Sequence, residues 1–169
     1  MVDALHIHEA FKQGDLEVLL IVLDEPPARL ILPDSEAFGH CLEYAVYHSP
    51  ISLIKQLLDL GADPNYPDHA GFPSLIATLT TDRPDKNQII ELLIAAGADI
   101  QQNGINGFTP LHQAASNNDV SAAELLLAHG ANPNARTDVD EFTTPLEEAE
   151  SSGHVAVAEI LRKVTDTLH

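Results

Sequence analysis

Apolar positions return along this chain at a nearly constant interval. Ile7, Leu42, Leu75, Leu111 and Leu146 stand in matching contexts, separated by 35, 33, 36 and 35 residues. A period of this size, sustained from end to end, marks a stacked array of similar units and not one closed globule. Between these positions a second apolar block recurs, at Ile51 to Leu58, Ile89 to Ile94, Val120 to Leu127 and Ile160-Leu161. Three of the units close on a small-residue ending: Gly61-Ala62-Asp63-Pro64-Asn65, Gly97-Ala98-Asp99-Ile100 and Gly130-Ala131-Asn132-Pro133-Asn134. The first unit carries Ile7-His8-Glu9-Ala10 and Gly14-Asp15-Leu16-Glu17-Val18 and lacks that ending.

The fourth unit shows how one repeat is built. Thr109 is placed to accept the first free amide hydrogens of a helix, and Pro110 suits its first helical position. The short helix that follows puts Leu111, Ala114 and Ala115 on one side, where the small alanines allow a neighbouring helix to come close. Asn117-Asn118-Asp119 forms a turn into a second helix with Leu125, Leu126 and Leu127 as its apolar edge. Gly130 supplies the left-handed residue that ends it, and Pro133 blocks continuation. The stretch from Asn132 to Phe142 is rich in Pro, Asn and Asp and reads as an extended turn. One unit is therefore helix, turn, helix and projecting loop.

Thr109-Pro110-Leu111-His112-Gln113-Ala114 and Gly61-Ala62-Asp63-Pro64-Asn65 resemble the two signatures of the ankyrin-repeat family. The resemblance covers residues 4 to 165. It implies an all-α solenoid of about five helix-turn-helix units with projecting β-hairpin or loop fingers, and a concave groove that binds proteins. The chain is then one domain, 1–169, with repeats at approximately 4–33, 34–66, 67–102, 103–135 and 136–169, the first and last acting as caps. His112 stands at the signature histidine position, which implies a structural hydrogen bond between loop and helix; His8 occupies the equivalent place in the first repeat.

Several segments depart from the pattern. Pro26-Pro27 replace the expected glycine turn, and Asp34-Ser35-Glu36 could start an early, longer helix leading into Cys41 and Leu42. The third repeat has an insertion around Thr80-Thr81-Asp82-Arg83-Pro84-Asp85; insertions in such arrays often map to a binding face, and neutral loop drift is the preferred reading here. The last finger is lengthened around Asp138-Val139-Asp140-Glu141-Phe142. In the first repeat, Val18-Leu19-Leu20-Ile21-Val22-Leu23 is apolar all round although terminal repeats need a polar outer face. We expect Arg29-Leu30-Ile31-Leu32 to fold over it, with a second copy of the chain as the alternative cover.

Charge narrows the choice of partners. Eight Lys and Arg stand against twenty-six Asp and Glu, a net charge of −18. No Lys or Arg lies between Lys86 and Arg136. Nucleic acid and anionic membrane need clustered cations, so neither is expected to bind. A basic protein partner is complementary to such a field; the competing reading is that the charge only keeps the stack in solution. The lone cysteine, Cys41, excludes an intrachain disulfide and fits a cytoplasmic setting. No secretory signal and no membrane-spanning run are read in the chain.

No catalytic or metal-binding constellation emerges, and no cofactor is expected. Nine histidines are present, but His6 and His8 face different ways on a helix, and neither H-E-x-x-H nor paired C-x-x-C occurs. The serines lack a G-x-S-x-G context, and the glycines belong to turns and helix ends. The candidate binding surface, by family resemblance, is the finger tips and the inward side of each first helix. It comprises Tyr44, Tyr47 and His48; Tyr66, His69 and Phe72; Asn106, Phe108, Gln113, Ser116 and Asn117; and Arg136, Asp138, Asp140, Glu141 and Phe142. All three tyrosines and three of the five phenylalanines fall in this set, and aromatic side chains are enriched at binding hot spots. Phe72 and Phe108 have a competing reading as packing beneath the fingers, while Tyr47 and Tyr66 suit exposure.

The sequence thus points to a monomeric, non-enzymatic protein-binding module: an inhibitor, adaptor or escort of a basic protein. A sharper form is an immunity-type or antitoxin-type neutraliser of a basic enzyme. The alternative of a different class is an enzyme or metal-dependent protein with its site on the stack.

Overall fold

The computed structural model describes residues 4–23, 41–65, 73–138 and 142–167. Among them the chain is helix and loop, with no strand. The helices are α1 (Ala4–Gln13), α2 (Leu16–Leu23), α3 (Cys41–His48), α4 (Ile51–Asp59), α5 (Ser74–Leu79), α6 (Lys86–Ala95), α7 (Pro110–Ser116), α8 (Val120–Ala128), α9 (Pro145–Ser151) and α10 (Val155–Thr167). A short 3-10 turn, Ile105–Gly107, precedes α7. Pro26-Pro27, the helix start at Asp34-Ser35-Glu36 and the cover at Arg29 to Leu32 lie outside the described residues, as do Tyr66, His69, Phe72, Asp140 and Glu141.

Helices pack in chain order. Each odd-numbered helix lies against the even-numbered helix that follows it. The row α1, α3, α5, α7, α9 makes consecutive contacts, as does the row α4, α6, α8, α10. The recurring apolar positions run through the first row: Ile7, Leu42, Leu75 and Leu111 are buried. Leu146, on α9, is only partly buried. In α8 the fully buried face is Ala122, Ala123 and Leu126, with Leu125 and Leu127 partly buried beside it. The alanines let α6 and α10 approach from either side.

Caps explain where several helices begin. Thr109 and Thr144 each accept a hydrogen bond from the backbone of the third helical residue, and that residue's side chain returns the bond. The returning group is His112 in α7 and Glu147 in α9, so two different side chains complete the same box. Asp119 caps α8 by accepting from Ala122 N at 3.0 Å. Asp85, which precedes α6, makes no cap bond; both its oxygens are taken by Arg83, at 2.8 Å each.

Side chains of one unit satisfy backbone groups of the next. Asn65 donates to Gly97 O at 2.8 Å and accepts from Asp99 N at 2.5 Å. One unit on, Gln101 donates to Gly130 O at 2.9 Å and accepts from Asn132 N at 3.2 Å. A second series closes the C-terminal ends of the first-row helices. Arg83 donates to Val46 O at 3.0 Å and Ser49 O at 2.6 Å, Asn117 to Leu79 O at 2.6 Å, and His154 to Ala115 O at 3.0 Å. The insertion in the third repeat is therefore not idle. It carries a guanidinium that does for α3 what Asn117 and His154 do for α5 and α7, satisfying carbonyls that a helix end leaves open.

Among the positive-φ glycines, Gly130 and Gly107 matter most for the loops. Gly130 has φ +88°, the left-handed residue that stops α8. Gly107 has φ +77°, and a Cβ there would overlap the backbone nitrogen and carboxylate of Asp138. The two loops approach closely, and Asp138 N donates to Asn106 O at 3.1 Å. No helix among the described residues is long and apolar enough to cross a membrane.

Candidate functional site

Two clusters of candidate residues form on this scaffold. The first lies on α1 and α3. Tyr44 packs its ring at 4.8 Å from Phe11, and its hydroxyl shares a 2.6 Å hydrogen bond with His8 Nδ1. His48 sits 4.6 Å from Tyr44 and 5.1 Å from His8, centroid to centroid. Tyr47 lies 6.1 Å from His48, and its hydroxyl meets Thr80 Oγ1 at 3.2 Å. Helical spacing explains the grouping: Tyr44 and His48 are four residues apart and share a face, which α1 meets with His8 and Phe11. Tyr44 and His8 are half-buried, whereas Tyr47 and His48 are exposed. Burial raises the Tyr44 phenol above its usual range. Burial, then the neighbouring His8, holds His48 below the usual imidazole value, so this ring is neutral near pH 7 and presents an uncharged π surface.

The second cluster is at the loops before α7 and α9. Asn106 is exposed with φ +63°, and Phe142 is 56 % exposed with φ +51°. Left-handed backbone is uncommon for non-glycine residues and a clear outlier for a bulky one. Arg136 holds the Phe142 carbonyl at 2.7 Å and lies 3.5 Å from Glu147. Asp138 is exposed beside Gly107.

Other candidates have internal roles. Phe108 is half-buried, its ring 5.4 Å from His112. Gln113 donates to Asn117 Oδ1 at 3.1 Å, and Asn117 in turn closes the end of α5. Ser116 is half-buried at the end of α7. Behind them His112 is fully buried. Its Nδ1 accepts from Thr109 N at 3.2 Å, which leaves Nε2–H to donate to Thr143 O at 2.9 Å. This is the loop-to-helix bond that the signature histidine implied. Burial, opposed by the Thr143 bond and the Glu148 charge, lowers the imidazole pKa and keeps it neutral.

Sequence reasoning did not foresee His8 as a partner of Tyr44, although its signature position marked it, and it missed the structural use of Arg83 and His154. The described residues contain no group of three or more His, Cys, Asp or Glu arranged to hold a metal ion. Cys41 is buried, and burial pushes its thiol up to about 11, which makes it a poor nucleophile.

Comparison with known proteins agrees with this architecture. A family model described as ankyrin repeats (3 copies) matches residues 79–167. The chain is 35% identical over 121 residues to tyrosine-protein kinase Shark of Drosophila melanogaster, covering 71% of this chain and 12% of the kinase. It is 29% identical over 124 residues to an intracellular phospholipase A2 of Caenorhabditis elegans, covering 69% of this chain and 11% of that protein. It is 35% identical over 82 residues to the RelA-associated inhibitor of Mus musculus, covering 48% and 10% respectively. The chain thus spans about a tenth of the length of these relatives.

Proposed function

This chain belongs to the ankyrin-repeat family, and on that premise we propose that it is a non-catalytic module that binds one protein partner through its first-row helices and fingers. Ankyrin repeats generally mediate protein–protein interaction. The shared segment in the relatives accompanies a kinase in one, a phospholipase in another and an inhibitor in a third. What is common to them is the stack and not a chemistry, and function follows the site and not the fold.

In this reading the stack has five units, the outer two acting as caps, and the loops are fingers that carry recognition. The observation that supports it most directly is the ring patch on α3, with Tyr47 and His48 exposed over a half-buried Tyr44. Such a patch is pre-ordered by Phe11, His8 and Thr80, so binding costs little further ordering. The net charge of −18 favours a basic partner and speeds its association. An inhibitor, adaptor or escort role fits this arrangement, and so does the narrower role of neutralising a basic enzyme. Nucleic acid and anionic membrane do not fit the charge. We expect a monomer in a cytoplasmic setting.

The experiment is affinity capture from the native cell extract, eluted in rising salt, followed by affinity measurement with Tyr47→Ala. A basic partner should elute as salt rises from about 0.15 M to about 0.5 M, where screening shortens to a few ångströms. Tyr47→Ala should weaken it by about tenfold or more with helicity unchanged. Unchanged affinity would remove the groove assignment.

A further inference from the structure

An open cleft lies near the ring patch. It has a volume of about 390 Å³, within the range of about 300–1,000 Å³ typical of small-ligand sites. One wall is the loop after α5, Thr80 to Asp82; the other is the turn between α7 and α8, Asn117 to Asp119. Tyr47 does not line it but lies nearby, its hydroxyl 3.2 Å from Oγ1 of the lining residue Thr80.

The charges around this cleft are unevenly committed. Lys86, which also lines it, is paired with Asp119 and donates to Thr81 O. Arg83, next in sequence to Asp82, is fully used by Asp85, Val46 O and Ser49 O. Asp119 spends its other oxygen on the cap of α8. Asp82 is exposed, and among the described residues it has neither hydrogen-bond nor ion-pair partner. The cleft thus contains one cation and two carboxylates, and the uncompensated one is Asp82.

We propose that this cleft receives an arginine side chain of the protein partner, its guanidinium paired with Asp82. Arginine is the occupant that the chemistry selects: its planar fork pairs with a carboxylate by two hydrogen bonds. The free amide of Asn118 offers a carbonyl oxygen as a further acceptor on the opposite wall. The proposal rests on the protein-binding reading above and specifies the partner's contribution to it.

The test uses the full chain, labelled with ¹⁵N, titrated with N-acetyl-arginine amide. N-acetyl-citrulline amide, of the same shape and without charge, and sodium chloride at matched ionic strength are the controls. The expected result is a saturable set of amide shifts confined to residues 80–82 and 117–120, absent with citrulline, and weakened at least about threefold by Asp82→Asn. Because Asp82 is exposed and unpaired, that variant keeps the fold, which the unshifted remainder of the spectrum verifies. Shifts spread over the whole acidic surface, equal shifts with citrulline, or a titration unaltered by Asp82→Asn would each overturn the assignment. If the probe fails while Tyr47→Ala still weakens the captured partner, the cleft proposal falls and the protein-binding reading stands. Loss of both would remove the surface altogether.

Discussion

Replacing His112 by alanine isolates the bond that ties a finger to the core. The imidazole is fully buried and joins three segments: the cap of α7 through Thr109 N, the loop before α9 through Thr143 O, and Phe108 through ring contact. Alanine orphans the buried Thr109 N–H, while the Thr143 carbonyl still accepts from Thr137 N at 3.1 Å. The orphaned N–H costs about 1–3 kcal/mol, and the space left by the ring adds to it. A total of about 2–4 kcal/mol follows, a large share of the about 5–15 kcal/mol that stabilises an ordinary domain. Protonation gives an independent check. Burial lowers the imidazole pKa in the folded chain below its ordinary 6.5, so the unfolded chain binds the extra proton. The stabilisation is then complete above about pH 6.5 and is lost as pH falls from there through the folded-state pKa. Urea unfolding followed by circular dichroism, at about pH 7.5 and about pH 5.5, measures both effects. His112→Ala should cost several kcal/mol at the higher pH and clearly less at the lower. A cost below about 1 kcal/mol, or one that does not shrink on acidification, would refute the assigned role and tautomer.

Arg83→Ala should destabilise by about 1–3 kcal/mol through the abandoned carbonyls of Val46 and Ser49. Arg83→Lys should recover little, since lysine has no fork to reach Asp85 and both carbonyls; thermal unfolding of the two variants decides. Gly130→Ala should cost about 1–2 kcal/mol from the left-handed backbone alone, because a Cβ there meets nothing within 4 Å. Gly107→Ala should cost more, since its Cβ overlaps Asp138, and equal losses in denaturant titrations would argue against the close finger contact. Asn65→Ala breaks the link to Gly97 and Asp99, and faster amide exchange at Asp99 and Gln101 than at Asn132 should report it.

Legibility varied with the range of the interaction. The capping threonine and proline of α7, the glycine that ends α8 and the unit of helix, turn, helix and loop follow from neighbours within a few residues, where propensity and capping act. His112 as a tether was legible only through resemblance, because its acceptor, Thr143, lies 31 residues away. Arg83 was misread as part of a drifting loop for the same reason. An inserted arginine looks like surface until α3 brings the carbonyls of Val46 and Ser49 beneath it. Of the candidate aromatics, Tyr44 and Tyr47 fall on α3, but burial could not be read from spacing. Tyr44 became a partner of His8 and Phe11, and Phe108 a neighbour of His112, while Tyr47, His48 and Phe142 kept their exposure.

The sequence by itself therefore determined the repeat: its period, the helix starts and stops, and the net acidic charge of the chain. Those depend on local backbone chemistry and on charge summed over the chain, neither of which needs coordinates. Only the tertiary structure decided which polar side chains bridge one unit to the next and which remain open to a partner. Stacking sets that choice, because a side chain one period away comes within hydrogen-bond reach of a carbonyl only after both units have folded.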